Sequence, residues 1–137
     1  VPAGTSADTT NVLRLIPDLD GALVITIPSE VSQAVAHKAA VLCQKAEIDL
    51  YGIVENLSGF TCSCCNKKSN IMQSGGGKDL AEKLDVPFLG EIPMDKRVAT
   101  SADEGHPFVH QYPDWDGSKT IHAAAKAIDA KLIGESG

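Results

Sequence analysis

The sequence has no excess of basic residues: 12 Lys and Arg stand against 18 Asp and Glu, a formal net charge of −6. A nucleic-acid-binding surface needs a basic patch, so that class is set aside. A nucleotide is not excluded, because its phosphates are commonly held by backbone N–H groups. No apolar run approaches the roughly 20 residues of a membrane span, and no membrane partner is expected. The opening "VPAGTSADTT" lacks both the basic and the apolar segment of a signal peptide. Cysteines are too few for a disulfide scaffold: there are four, and Cys62, Cys64 and Cys65 fall within four positions. A bond from Cys62 to Cys65 would close a tiny loop and stabilise little. A reduced, cytoplasmic chain is expected. Internal repeats and low-complexity tracts are missing too. So is an opening strand, since "VPAGTSADTTNVLRLIPDLDGALVITIP" becomes strand-like only near Ala22. A complete α/β domain more often opens with a buried strand, so the chain reads as one whose beginning lies upstream.

What is present is ordinary for one compact domain: 137 residues, 43% hydrophobic and 22% charged. Thr10–Ile16 is a short helix candidate. "ALVITI" (Ala22–Ile27) is apolar and β-branched, as in a strand covered on both faces. Ser29 is a good N-cap for a helix to about Ala46, with Val31, Ala34, Val35, Ala39 and Leu42 at helical spacing. On this helix Cys43 is expected to be a buried thiol. "IDLYGIVEN" (Ile48–Asn56) is a second buried strand and "PFLGEIP" (Pro87–Pro93) a third. A glycine run opens a short helix carrying Leu80, Ala81 and Leu84. "DKRVATSADEG" is a further helix closed by Gly105, and "HPFVHQYPDWDG" is irregular. Ser118 is the expected N-cap of a closing helix to Ile133. Buried strands alternating with helices predict an α/β fold, a parallel sheet with flanking helices. Ligands in such folds sit at the carboxyl ends of strands, here Pro28–Ser29, Asn56–Leu57 and Ile92–Asp95.

Three stretches carry chemistry. In "IVENLSGF", Asn56 leaves a buried strand and can offer its amide oxygen and NH₂ together to a planar base edge; equally, it can cap a turn. In "TCSCCNKK", Cys62 and Cys65 form a C-x-x-C turn able to place both thiolates on one metal or cluster. Lys67 and Lys68 would favour the thiolate forms. Structural thiols or a redox pair are the other readings, and the Cys64 side chain should point away from the pair. Two thiolates leave the coordination half empty, because zinc and iron–sulfur clusters usually take four ligands. "SGGGKDLAEKL" suggests phosphate binding but lacks the spacing and the hydroxyl of a Walker A loop. Alone it reads as a hinge and helix start.

Together, "VPAGTS", "GALVITIPSEV", "GIVENLSGFTCSCC", "IMQSGGGKDLAEKLDVPFLGEIPMDKRV" and "DEGHPFV" resemble the Mrp/ApbC family of P-loop ATPases, relatives of MinD that act as iron–sulfur cluster carriers. The resemblance spans nearly the whole chain. It implies a partial MinD-like, SIMIBI-type P-loop NTPase domain: residues 1–137 would be the C-terminal part, without the Walker A portion, and 57–74 the cysteine loop. Pro2 and Gly4 would match the switch that senses the γ-phosphate, Asn56 the adenine-recognising Asn, and Pro93 and Asp95 the loop closing around the base. Cys62 and Cys65 would be cluster ligands. The missing ligands would come from a second subunit, giving a homodimer that bridges a [4Fe–4S] cluster through the cysteine loop and passes it to apo iron–sulfur proteins. ATP with Mg²⁺ would bind, and be hydrolysed by, the complete parent; no catalytic residue is assigned here, and hydrolysis by this stretch alone is not expected. The alternative is a MinD-type regulatory or partitioning ATPase whose cysteines hold structural zinc. Ala3, Ala7, Val35 and His37 depart from the family pattern, as do C-S-C-C in place of C-P-x-C and the stretch "HQYPDWDG".

Overall fold

The computed structural model describes residues 6–16, 18–62, 64, 65, 67–69 and 73–134. In chain order they form α1 (Ala7–Leu15), β1 (Ala22–Thr26), α2 (Glu30–Lys45), β2 (Leu50–Thr61), β3 (Lys68–Ser69), α3 (Gly76–Leu84), β4 (Phe88–Met94), α4 (Lys96–Asp103), α5 (Phe108–Gln111) and α6 (Asp116–Gly134). β2 is the axis of the sheet. β1 and β4 both run parallel to it, with Val24 beside Ile53 and Glu55 beside Glu91, while β3 pairs antiparallel with its far end. Parallel neighbours need crossovers, and α2 and α3 supply them. The α/β reading of the sequence therefore holds.

The crossover helices pack on one face of the sheet. Ala36, Ala40 and Cys43 of α2 join Leu80, Ala81 and Leu84 of α3 over Val24, Leu50 and Ile53 in a single apolar cluster. Alternate strand residues point to opposite faces, so Val54, also buried, turns to the other side. There α6 packs along β4, with Thr120 Oγ1 donating to the Glu91 carbonyl at 2.8 Å.

Local sequence chemistry sets the helix ends. Ser29 caps α2 as expected, accepting from the Ser32 N–H at 3.1 Å. Gly105 follows α4 with φ 70°, the left-handed conformation that ends many helices.

Several boundaries and faces differ from expectation. α1 begins at Ala7, three residues before Thr10, because Ser6 caps it. The buried face of α2 is Ala36–Ala40–Cys43, not the stripe through Val31, which is 77% exposed. Small alanines let the helix lie close on the sheet, whereas Val31 is exposed and Val35, Ala39 and Leu42 are only half-buried. β1 is covered on one side only: Val24 and Thr26 are buried while Leu23 and Ile25 are exposed. The irregular stretch contains α5, held by Phe108, whose ring meets those of Tyr112 and Trp115 at 4.8 Å. Ser118 is not an N-cap, since α6 starts at Asp116; Ser118 is fully buried, and its Oγ finds no hydrogen-bond partner among the described residues. Among the described residues no helix is long and apolar enough to cross a membrane.

Candidate functional site

β2 does not end at Asn56. Leu57 (φ 57°) and Gly59 (φ 72°) adopt left-handed conformations. Asn56 pairs with Ile92 but Phe60 with Met94, so β2 carries two more residues than β4 over this interval. A bulge of this kind re-aims side chains at a strand end. Beyond it β2 becomes one arm of a hairpin, with Phe60 opposite Ser69 and Thr61 opposite Lys68. The Cys62 N–H then donates to the Lys67 carbonyl at 3.1 Å. Sequence reasoning placed Cys62 and Cys65 in a polar loop; the structure places them at the tip of this hairpin.

All three tip cysteines are free thiols, Cys62 half-buried and Cys64 and Cys65 exposed. The Cys62 thiol is held below its ordinary value. The main cause is donation to its sulfur by the backbone N–H groups of Cys64 and then Cys65. A side-chain contact with Cys65 adds to this, burial opposes it, and a weaker contact with the Cys64 thiol comes last. A thiolate is the form that ligates metals, so the turn suits the chemistry of a thiolate-bound cluster. Cys64 therefore does not point wholly away, as its position in the motif suggested. The lowering of Cys62 comes first from the turn's own N–H groups. Among the described residues no three His, Cys, Asp or Glu side chains converge to hold a metal ion. The tip offers a thiol pair, not a closed ligand set.

The parallel pairing of β2 and β4 brings Asn56 beside Ile92, and so next to Pro93. Asn56 is half-buried, with its Oδ1 accepting from the Leu57 N–H at 2.9 Å. Its amide oxygen thus supports the left-handed turn here. Asp95 is engaged as well. It caps α4 through the Arg97 N–H at 2.8 Å and pairs with the Arg97 guanidinium, whose Nε lies 3.0 Å from both carboxylate oxygens. Arg97 in turn lies 4.8 Å over the Tyr112 ring. Pro2 and Gly4 lie outside the described residues.

The Arg97 side-chain hydrogen bond holds the Asp95 carboxyl below its ordinary range. A depressed carboxylate contributes stability above its unfolded value, about 4, and loses it as pH falls through the folded value. Asp95→Asn keeps a cap acceptor but loses the charge. Its deficit should be about 1 kcal/mol or less at pH 7, because Arg97 is 38% exposed. The deficit should shrink as pH falls below about 4 toward pH 3. Denaturant unfolding at the two pH values measures it, and a deficit unchanged at pH 3 would remove the ion pair as its cause.

Sequence reasoning passed over Glu55. It is fully buried in β2, and its carboxylate accepts from Ser58 Oγ at 2.7 Å, from the Gly75 N–H at 2.9 Å and from the Gly77 N–H. The signal was available: a lone Glu in the apolar run "YGIVEN" needs buried donors, and a glycine run supplies them. The phosphate-like glycine run thus holds an anion of its own chain.

Residues 1–129 match the family model described as "ParA: NUBPL iron-transfer P-loop NTPase". The chain is 40% identical over 131 residues to the cytosolic Fe–S cluster assembly factor NBP35 of Eremothecium gossypii, covering 93% of this chain and 39% of that one. It is 37% identical over 134 residues to the iron–sulfur cluster carrier protein of Methanocaldococcus jannaschii, covering 98% and 46%. It spans less than half the length of these relatives. The cell-division ATPase MinD of Pyrococcus furiosus superposes with a TM-score of 0.69 at 23% identity, over 94% of this chain and 49% of that one, a likeness of fold. This chain belongs to the NUBPL-type iron-transfer P-loop NTPase family.

Proposed function

We propose that this chain is the cargo-holding half of an ATP-dependent iron–sulfur cluster carrier. Cys62 and Cys65 of two subunits would together take a [4Fe–4S] cluster as cargo and deliver it to apo-proteins. The observation that carries this reading is the hairpin tip, where the β2–β3 pairing and the Cys62 N–H bond to the Lys67 carbonyl present free Cys62 and Cys65 thiols in one turn. Two such tips facing across a two-fold axis supply the four thiolates a cluster takes. The names of the relatives, a cluster assembly factor and a cluster carrier, support the cargo and favour it over a MinD-type partitioning role. The NBP35 name supports a cytosolic location.

The nucleotide reading rests on the strand end. In the complete protein Asn56 would recognise adenine beside Pro93 and Asp95, while Pro2 and Gly4 would sense the γ-phosphate of ATP bound with Mg²⁺ and hydrolysed there. To read a base, the Asn56 amide must leave its bond to Leu57 or share its oxygen's second lone pair. Asn56→Ala should weaken ATP binding by roughly 1–3 kcal/mol, as for other bidentate base contacts. Calorimetric titration of the complete protein checks this, and unchanged affinity would return Asn56 to its turn.

The cargo is tested by anaerobic reconstitution of the complete protein with iron and sulfide. The expected product is brown, absorbs broadly near ~400 nm as thiolate-bound clusters do, and contains about four irons per two chains. A colourless protein retaining zinc would replace the carrier reading with a structural metal.

A further inference from the structure

The hairpin that presents the cysteines is anchored at both ends by one group. Glu55 lies just before it on β2, and its carboxylate reaches three residues forward to Ser58 Oγ and some twenty residues forward to the N–H groups of Gly75 and Gly77. Those donors bracket segment 59–74, which contains every tip cysteine. The carboxylate is fully buried, and among the described residues three donors converge on it to make that burial tolerable, two of them at the positive end of α3.

The glycines are shaped to this contact. Gly75 turns with φ 94° into the helix and provides no side-chain cap. A Cβ at Gly77 would lie 2.8 Å from the Glu55 Cβ and 3.1 Å from its Oε2. The helix N-terminus is thus occupied by a carboxylate of its own chain.

We infer that Glu55 is a positioning residue for cluster binding: it fixes the base of segment 59–74 on the sheet, so that Cys62 and Cys65 meet their counterparts across the dimer at a set distance. The inference rests on the carrier reading for its consequence, though not for the contact itself. Glu55 also adjoins Asn56 on the same strand, so the base of the cysteine segment and the proposed adenine contact are one peptide apart. Glutamine cannot substitute. It retains one oxygen but turns an NH₂ toward backbone N–H groups, setting donor against donor.

The test uses the complete protein, wild type beside Glu55→Gln and Ser58→Ala. Hydrogen exchange of the metal-free form reads the anchor without any cluster. In Glu55→Gln, exchange should accelerate across 59–74 while α2 and β1 keep wild-type protection. After reconstitution, a chelator should extract iron about tenfold faster, as expected for loss of a charge-assisted hydrogen bond. The reduced cluster should give broader paramagnetic resonance lines, and Ser58→Ala should fall between the two. Wild-type exchange in 59–74 together with wild-type iron release would overturn the inference, as would faster exchange spread evenly over the whole chain. If wild type itself takes up no iron, the carrier reading fails, and the exchange experiment still decides whether Glu55 anchors the segment. If Glu55→Gln does not fold, Ser58→Ala decides by the same criteria, since it removes one donor and leaves two.

Discussion

Replacing Cys62 or Cys65 by serine in the complete protein should abolish cluster loading and, with it, any shift toward dimer. A serine hydroxyl does not supply the thiolate that binds iron, and in the proposed shared site each subunit contributes this pair. Cys64→Ser should spare most of both. The main link from Cys64 to Cys62 is its backbone N–H, which serine keeps; the Cys64 thiol contact is the weakest of those lowering Cys62. Cys43→Ser should spare loading too, because Cys43 is buried in the α2–α3 core and burial pushes its thiol up, away from the ligating form. Iron and sulfide per chain, read beside light scattering for the four variants, measure the pattern. A monomer carrying a full cluster would show that one tip completes its own coordination. Loss of the cluster on changing Cys64 alone would make it a ligand and end the shared-pair proposal.

The three parallel strands were legible in the sequence because each is a short apolar run flanked by turn residues. The periodicity of α2 gave its extent but the wrong face: alanines score weakly as apolar, yet Ala36 and Ala40 pack flush on the sheet while Val31 stays in water. The continuation of β2 was hidden by "NLSG", which reads as a loop. The strand survives it by placing Leu57 and Gly59 at positive φ, a bulge rather than a stop. Ser118 misled for a related reason. A serine before a helical run suggests a cap, but Trp115 already accepts from the Lys119 N–H at 3.0 Å, so the helix has begun upstream. At the site, the C-x-x-C spacing singled out Cys62 and Cys65 as a candidate pair, while the role proposed for Asn56 came from the family resemblance. Glu55 needed a pairing across some twenty residues that no local pattern reveals.

The glycine run gives the second large effect, because its neighbours respond differently to the same added methyl. Gly77→Ala should destabilise the protein strongly. Its Cβ would press on the Glu55 Cβ, fixed on the central strand, and lie 3.2 Å from the Phe88 ring. Overpacking of this kind costs roughly 1–3 kcal/mol. If helix α3 shifts to relieve it, the Gly77 N–H leaves the buried carboxylate, at a further cost of about 1–3 kcal/mol. The expected loss is then about 2–6 kcal/mol when both occur together. The nearest atoms to a Cβ at Gly76 are those of the amide end of the Gln33 side chain. That end can swing aside, since Gln33 is only half-buried on α2. Alanine also favours a helix over glycine by about 1 kcal/mol, so Gly76→Ala should lie within about 1 kcal/mol of wild type. Denaturant midpoints for the two variants decide the matter. A run that served only as a flexible hinge would respond alike at both positions, and so would one shaped to admit an outside phosphate. Equal effects would therefore show that the Glu55 contact does not hold helix α3.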